Sequence, residues 1–249
     1  MLESFKRLFT GTAAAPVPAE LRDAADWARV HGFGFRRVKE GEGFVIDGVD
    51  DGHAWRIEWG PPQRPYIEGR ELRLRIELGL PSDLQMLVLS RALMERLERQ
   101  TYEQFVEDTQ TQIDTTSPEE MRWLVMFPKV GLGPSKAMRT AYGACAAAPA
   151  MGALWLDGAL AAALERAIAG LMQDERPFVL MTLRGRLYLR LQMAQVDSAS
   201  LDGAFTLFAV AAEQALRVAA THGEHAADWP TTGSTAWQTL LPEEPKKPT

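Results

Sequence analysis

The chain has 249 residues, 46% of them hydrophobic and 24% charged, with a formal net charge of −6. That length can bury a real core, as one large domain or two small ones, and the acidic balance argues against a surface coated in nucleic-acid-binding charge. One cysteine, Cys145, excludes an internal disulfide, and the first nine residues lack an export signal, so the expectation is a soluble cytoplasmic protein.

Residues 1–18 read as an amphipathic segment and connector. Leu2, Phe5, Leu8 and Phe9 share a helical face beside Lys6 and Arg7, followed by an Ala/Pro-rich run. Such a face reports packing on its own domain more often than contact with a membrane surface, which is the lesser reading here. A helix is expected from Ala19 to His31, ended by Gly32.

Residues 19–130 read as an α+β half. Four strands are expected at Phe33 to Val38, Gly43 to Asp47, His53 to Trp59 and Arg70 to Leu78. Asp50-Asp51-Gly52 marks a tight turn between the second and third. In the fourth, Leu72, Leu74, Ile76 and Leu78 alternate with Glu71, Arg73, Arg75 and Glu77, which predicts one dry and one wet face and an antiparallel sheet. The proline-rich run Gly60-Pro61-Pro62-Gln63-Arg64-Pro65 predicts a protruding or binding loop. Ser82-Asp83-Leu84-Gln85 has the form of a capping box, predicting a helix from Asp83 to about Asp108. Ser117-Pro118-Glu119-Glu120 predicts another.

Residues 131–152 shift to Gly, Ala and Pro and read as a connector between halves. The run from Ala144 to Ala169 is too weakly hydrophobic for a membrane span. Residues 153–223 read as an α-β-β-α half: a helix to Met172, a hairpin of Pro177 to Leu183 and Arg186 to Met193, then a helix from Ser200 to Ala220 ended by Gly223. Residues 224–249 read as an irregular tail, disordered at its end, with Trp229 and Trp237 pinning it to the core. The strand–helix units Arg70–Leu97 and Arg186–Leu216 match in pattern, which raises an internal duplication. The fold class expected is α+β, with antiparallel sheets each packed on one face by helices, in two similar halves.

No catalytic constellation stands out. His222 and His225 lie three apart around Glu224, but Gly223 interrupts and no further ligand is visible, so no metal site is predicted. Cys145 sits in an alanine-rich stretch that reads as packing. Gly131 to Lys136 fails the spacing of a phosphate loop, and Asp47, Asp50 and Asp51 read as turn formers. No cofactor is indicated.

The most informative surface is the wet face of the strands. Arg73 and Arg75 project from the first half, where Glu58, Glu71 and Glu77 neutralise them. Arg184, Arg186 and Arg190, with Tyr188, project from the second, where fewer acids lie nearby in sequence. These six residues are the predicted partner- or anion-binding set. In architecture alone, a helix–meander–helix of this size resembles the small acidic bacterial secretion chaperones, which implies a chaperone-like role. The function expected is therefore a non-enzymatic interaction or adaptor protein that docks an acidic protein partner, and it could also self-associate. Two alternatives stand beside it: an enzyme whose site assembles only in three dimensions, and a binder of anions or nucleic acid, the latter disfavoured by the acidic balance.

Overall fold

The computed structural model describes residues 17–38, 43–107, 118–172 and 175–228. A 3-10 turn at Ala19–Leu21 leads into α1 (Arg22–Val30), followed by β1 (Gly34–Arg37), β2 (Phe44–Asp50), β3 (His53–Gly60) and β4 (Glu71–Glu77). Next come β5 (Met86–Ser90), α2 (Arg91–Glu107), α3 (Glu119–Met126), α4 (Lys136–Ala141), β6 (Tyr142–Ala146) and α5 (Pro149–Trp155). The last elements are α6 (Ala159–Gly170), β7 (Phe178–Leu183), β8 (Arg186–Gln192) and α7 (Ser198–Asp228).

The fold is α+β, and every strand pairing is antiparallel. Among the described residues the strands form one sheet in the order β1-β2-β3-β4-β8-β7-β5-β6. The β7–β8 hairpin is inserted between β4 and β5, so the two predicted strand groups are joined edge to edge. The chain crosses from β4 to β5 over the hairpin turn, where Leu78 and Leu80 donate their amides to the Gly185 carbonyl at 3.1 and 3.3 Å. Arg184 and Gly185 turn there with φ of 52° and 79°. A Cβ on Gly185 would lie 3.3 Å from the Leu80 carbonyl, so glycine answers both the dihedral and the crossing chain.

The meander follows the sequence pattern. Asp51 and Gly52, at φ of 48° and 82°, form the two-residue turn between β2 and β3. Trp55, Ile57, Trp59, Leu72, Leu74 and Ile76 are buried on one face. α1, α5, α6 and α7 cover that face across the sheet, through residues such as Trp27, Trp155, Leu164 and Phe208. Buried indoles keep a hydrogen-bond partner: Trp59 Nε1 donates to the Met193 carbonyl at 2.8 Å and Trp155 Nε1 to that of Ala211 at 3.0 Å.

Several boundaries differ from expectation. Met86 to Ser90 is a strand, where a helix from Asp83 was expected, and the helix starts only at Arg91. All five residues of β5 are buried. A strand covered on both faces needs no alternation, and a short apolar run does not tell strand from helix. The expected connector 131–152 holds α4, β6 and most of α5. Its small residues reflect close packing, since a Cβ on Gly143 would collide with Met94 and one on Gly152 with Ala146. Segment 128–130 pairs along the outer edge of β6, with the Val130 amide on the Ala144 carbonyl at 2.9 Å. Helix α7 runs through Gly223 to Asp228. Its stretch Ser198–His222 is long and apolar enough by composition to cross a membrane, yet it lies along the sheet with Leu201, Leu207, Phe208 and Ala215 buried. β5 intervenes between β4 and α2, whereas β8 leads directly to α7, so the two units proposed as repeats differ in content. The predicted amphipathic segment, Trp229 and Trp237 lie outside the described residues.

Gly48 faces Trp55 across the β2–β3 ladder, and a Cβ there would overlap the indole ring. That ring is held by Phe33 and Phe205 at centroid distances of 4.6 and 5.0 Å, so it has nowhere to go. Gly48→Val is expected to lower stability by ~2–3 kcal/mol in urea unfolding, the usual scale for overpacking, despite the better strand propensity of valine.

Candidate functional site

The register brings distant residues together. β4 pairs with β8 so that Arg73 lies opposite Arg190, Arg75 opposite Tyr188 and Glu77 opposite Arg186. β3 places Arg56 beside Arg75 and Glu58 beside Arg73, and β2 places Asp47 beside Arg56. These side chains share the face opposite the four-helix layer. Further along, the same face turns apolar: Leu87 and Leu89 of β5, Val179 and Met181 of β7 and Cys145 of β6 are buried under α2 and α3 with Leu93, Leu97 and Trp123. One half of this face is therefore covered by helices, and the other half carries charge.

The charged half is mostly locked by its own ion pairs. Glu71 has no solvent exposure, yet it is a carboxylate. Arg190 Nη1 donates to its Oε1 at 2.6 Å, and Arg73 Nη1 and the Gln63 amide donate to its Oε2 at 3.2 and 2.7 Å. Arg73 also donates Nε to Glu58 at 3.2 Å and Nη1 to the Pro61 carbonyl at 2.9 Å. Arg186 Nε reaches Glu77 at 2.6 Å. At the far side Arg36 and Arg56 both bind Asp47, the latter at 2.5 Å. Burial opposes ionisation of Asp47, but the hydrogen bonds from both arginines outweigh it and hold its carboxyl below the ordinary value.

The second-half arginines therefore have more acidic neighbours than their own stretch supplies, a correction to the sequence reading. β4 lends Glu71 to Arg190 and Glu77 to Arg186 across the strand pairing. Arg73 and Arg190 are removed from solvent, with side chains 15% and 10% exposed. Two predicted residues remain available. Arg75 is exposed and has neither an ion pair nor a hydrogen bond among the described residues, and Arg184 is exposed at the hairpin turn. Arg75 lines a shallow groove of about 390 Å³ with Val49, Ala54, Arg56, Glu77 and Asp47. Tyr188 is half-buried against the α2–α3 core.

The proline-rich loop folds down onto this face. Besides the Gln63 and Pro61 contacts, Arg64 Nε donates to Glu120 at 3.0 Å, and the Tyr66 hydroxyl donates to the same oxygen at 2.9 Å. Burial pushes the Tyr66 phenol above its ordinary value, and the Glu120 charge adds to the shift. Arg96 anchors the loop from α2 by donating to the Tyr66 carbonyl at 2.8 Å. Glu120 is fully buried, and its Oε2 and the Arg96 Nε have no hydrogen-bond partner among the described residues. In the sequence Glu120 read only as part of a helix start, and Glu71, Tyr66 and Arg64 did not show as members of a buried network. The available signal was a run of charge beside a loop rich in proline and capped by aromatic and aliphatic residues, Tyr66-Ile67.

The other singled-out residues have structural partners. The Cys145 thiol is buried 3.7 Å from the Trp123 carbonyl, and burial, with the Glu98 charge, pushes its pKa up to about 12. Ser135 caps α4 by accepting from the Met138 amide at 3.4 Å and donates to Glu165 at 2.7 Å. His222 Nε2 lies 2.9 Å from Asp83, tying α7 to the loop before β5. Among the described residues no group of three or more His, Cys, Asp or Glu is placed to hold a metal. The side chains of Glu224 and His225 lie outside them.

No protein-family model matches the chain, and no curated protein matches it in sequence. Among solved structures it is similar to the mycobacterial trehalose monomycolate transport factor A, with a TM-score of 0.48 and 11% identity over 79% of this chain and 94% of that one.

Removing one member of the Glu71 cluster strands a buried charge. Arg190→Ala is expected to cost ~3 kcal/mol, toward the lower end for a broken buried pair because Arg73 and the Gln63 amide stay in place. Adding Glu71→Leu to Arg190→Leu is expected to recover part of the loss in urea unfolding, since Arg73 keeps Glu58 and no buried carboxylate is left alone, although the Gln63 amide loses its acceptor.

Proposed function

We propose that this is a non-enzymatic interaction protein of adaptor or chaperone-like type, which docks an acidic segment of a protein partner on the uncovered half of its sheet. The observation that carries the reading is charge on an otherwise acidic chain. The open face formed by β1 to β4 and β8 carries six arginines (Arg36, Arg56, Arg73, Arg75, Arg186 and Arg190) against four carboxylates, Asp47, Glu58, Glu71 and Glu77. Arg184 adds a cation at its rim. A face with net positive charge on a chain of net charge −6 fits an acidic ligand.

The locked arginines and the free ones have different roles in this reading. Glu71 with Arg73 and Arg190 fixes the floor, while Arg75 and Arg184 meet the partner. The buried, unpaired thiol of Cys145 fits a reducing, cytoplasmic setting. Most of these charges are engaged by internal pairing, and in this reading the surface supplies recognition rather than proton transfer.

Reversing Arg190 would place a second carboxylate against Glu71 and damage the fold, so the informative variant is Arg75→Glu with Arg184→Glu. In quantitative affinity capture at native expression, an acidic protein held stoichiometrically by the wild type is expected to drop by at least ~10-fold, about 1.4 kcal/mol. The residual binding should weaken further with salt. Capture that survives the double reversal, or the absence of any stoichiometric partner, would overturn the reading.

A further inference from the structure

Arg75 stands exposed on the charged half-face with neither an ion pair nor a hydrogen bond among the described residues. Beside it the surface is apolar. Val49 is 68% exposed, and Ala54, its partner across the β2–β3 ladder, is exposed as well. All three line the shallow groove of about 390 Å³. The two carboxylates of that groove are already engaged, Asp47 by Arg36 and Arg56, and Glu77 by Arg186 at 2.6 Å. A ligand entering there meets one uncompensated cation next to a bare aliphatic patch.

The strand register sets the spacing of these two features. Val49 and Ala54 form one cross-strand row, and Asp47, Arg56 and Arg75 form the next. Ala54 and Arg56 are two residues apart on β3, so the rows lie roughly 6.6 Å apart along the strands. An extended chain laid along the strands repeats its same-face side chains at that interval. The groove is shallow and touches a ligand from one side, whereas small-molecule sites enclose theirs, so its shape suits a polypeptide. We propose, building on the acidic-partner reading above, that the partner's segment binds here in extended form. An aliphatic side chain covers Val49 and Ala54, and a carboxylate two residues away pairs with Arg75. A simple anion would answer Arg75 alone and leave the aliphatic patch in water.

The test titrates the full chain with three short peptides and follows its backbone amides by NMR. The first probe is acetyl-Ser-Glu-Ser-Leu-Ser-Glu-Ser-amide, in which the leucine has an acid two residues away on either side, so it fits in either direction. The second replaces the leucine with serine. The third, acetyl-Ser-Ser-Glu-Leu-Glu-Ser-Ser-amide, keeps the composition but turns the acids to the opposite face of an extended chain. The first probe is expected to shift the amides of Val49, Ala54 and Arg75. The other two should bind at least ~5-fold more weakly, the scale of a leucine half removed from water. Val49→Ser should weaken the first probe equally and leave distant amides unmoved, since that side chain is already exposed. Arg75→Gln should abolish its binding.

Equal affinity for the first and second probes would overturn the proposal while leaving an acidic partner in place, because charge alone would then carry the binding. Equal affinity for the first and third would overturn it too, since the two-residue interval would not matter. So would unchanged binding to Val49→Ser, shifts confined to residues outside the groove, or no shift with any probe. The acidic-partner reading itself is decided separately, by the capture experiment with Arg75→Glu and Arg184→Glu.

Discussion

Glu71 is a carboxylate without solvent contact, and the seam between β4 and β8 is built around it. Its two oxygens take hydrogen bonds from Arg73 on its own strand, from Arg190 on the neighbour and from the Gln63 amide of the overlying loop. Each of these groups is costly to bury alone, and together they satisfy one another. The seam joins strands more than a hundred residues apart, and a two-residue slip, which keeps every leucine on its face, would shift Arg190 relative to Glu71. The ion cluster therefore fixes register where the aliphatic ladder of Leu72, Leu74, Leu189 and Leu191 would accept several alignments. Its value lies in specificity more than in net stability.

That seam also divides the second face of the sheet. Toward β7, β5 and β6 the outward positions are aliphatic, and α2 and α3 cover them. Toward β3, β2 and β1 they are largely charged, and none of the described helices covers them. The loop from Pro61 to Ile67 sits on the division, stapled to β4 by Gln63 and to α3 by Arg64 and Tyr66. Because most cations on the open half are engaged by neighbouring acids, the face is pre-organised, and a ligand would meet fixed charges rather than mobile ones. Of the exposed members, Arg75 lines the groove walled by Val49, Ala54 and Glu77, and Arg184 stands at the β7–β8 turn.

Much of this was legible in the residues. Strict alternation in Glu71–Glu77 and Arg186–Gln192 read correctly because one buried face imposes a period of two, and the Asp51-Gly52 turn because glycine and aspartate tolerate positive φ. Arg73, Arg75, Arg186, Tyr188 and Arg190 were legible as sharing one face of the sheet for the same reason, whereas Arg184 lies in the turn. Pairing between β4 and β8 was not legible, since nothing local specifies which distant strand completes a sheet, and with it the internal neutralisation of Arg186 and Arg190 was hidden. Met86–Ser90 misled because Ser82 and Gln85 mimic a helix start, while a strand covered on both faces has no period to show. In the alanine- and glycine-rich stretch around β6, small side chains looked like a linker; they are small because α2 and α5 press close on either side. Glu120 carries the same lesson, since a helix-start acid and a buried network acid have the same sequence signature.

The charged half-face consists of cations locked around Glu71 and exposed ones, Arg75 and Arg184, which we propose meet a partner. Arginine-selective labelling with phenylglyoxal, followed by peptide mass spectrometry over time, measures that division directly. Fast modification of Arg75 and Arg184, slow modification of Arg186, and near-complete protection of Arg73 and Arg190 until the protein unfolds are expected. Comparable rates at all five would mean that the cluster does not hold the face, and the account would fail.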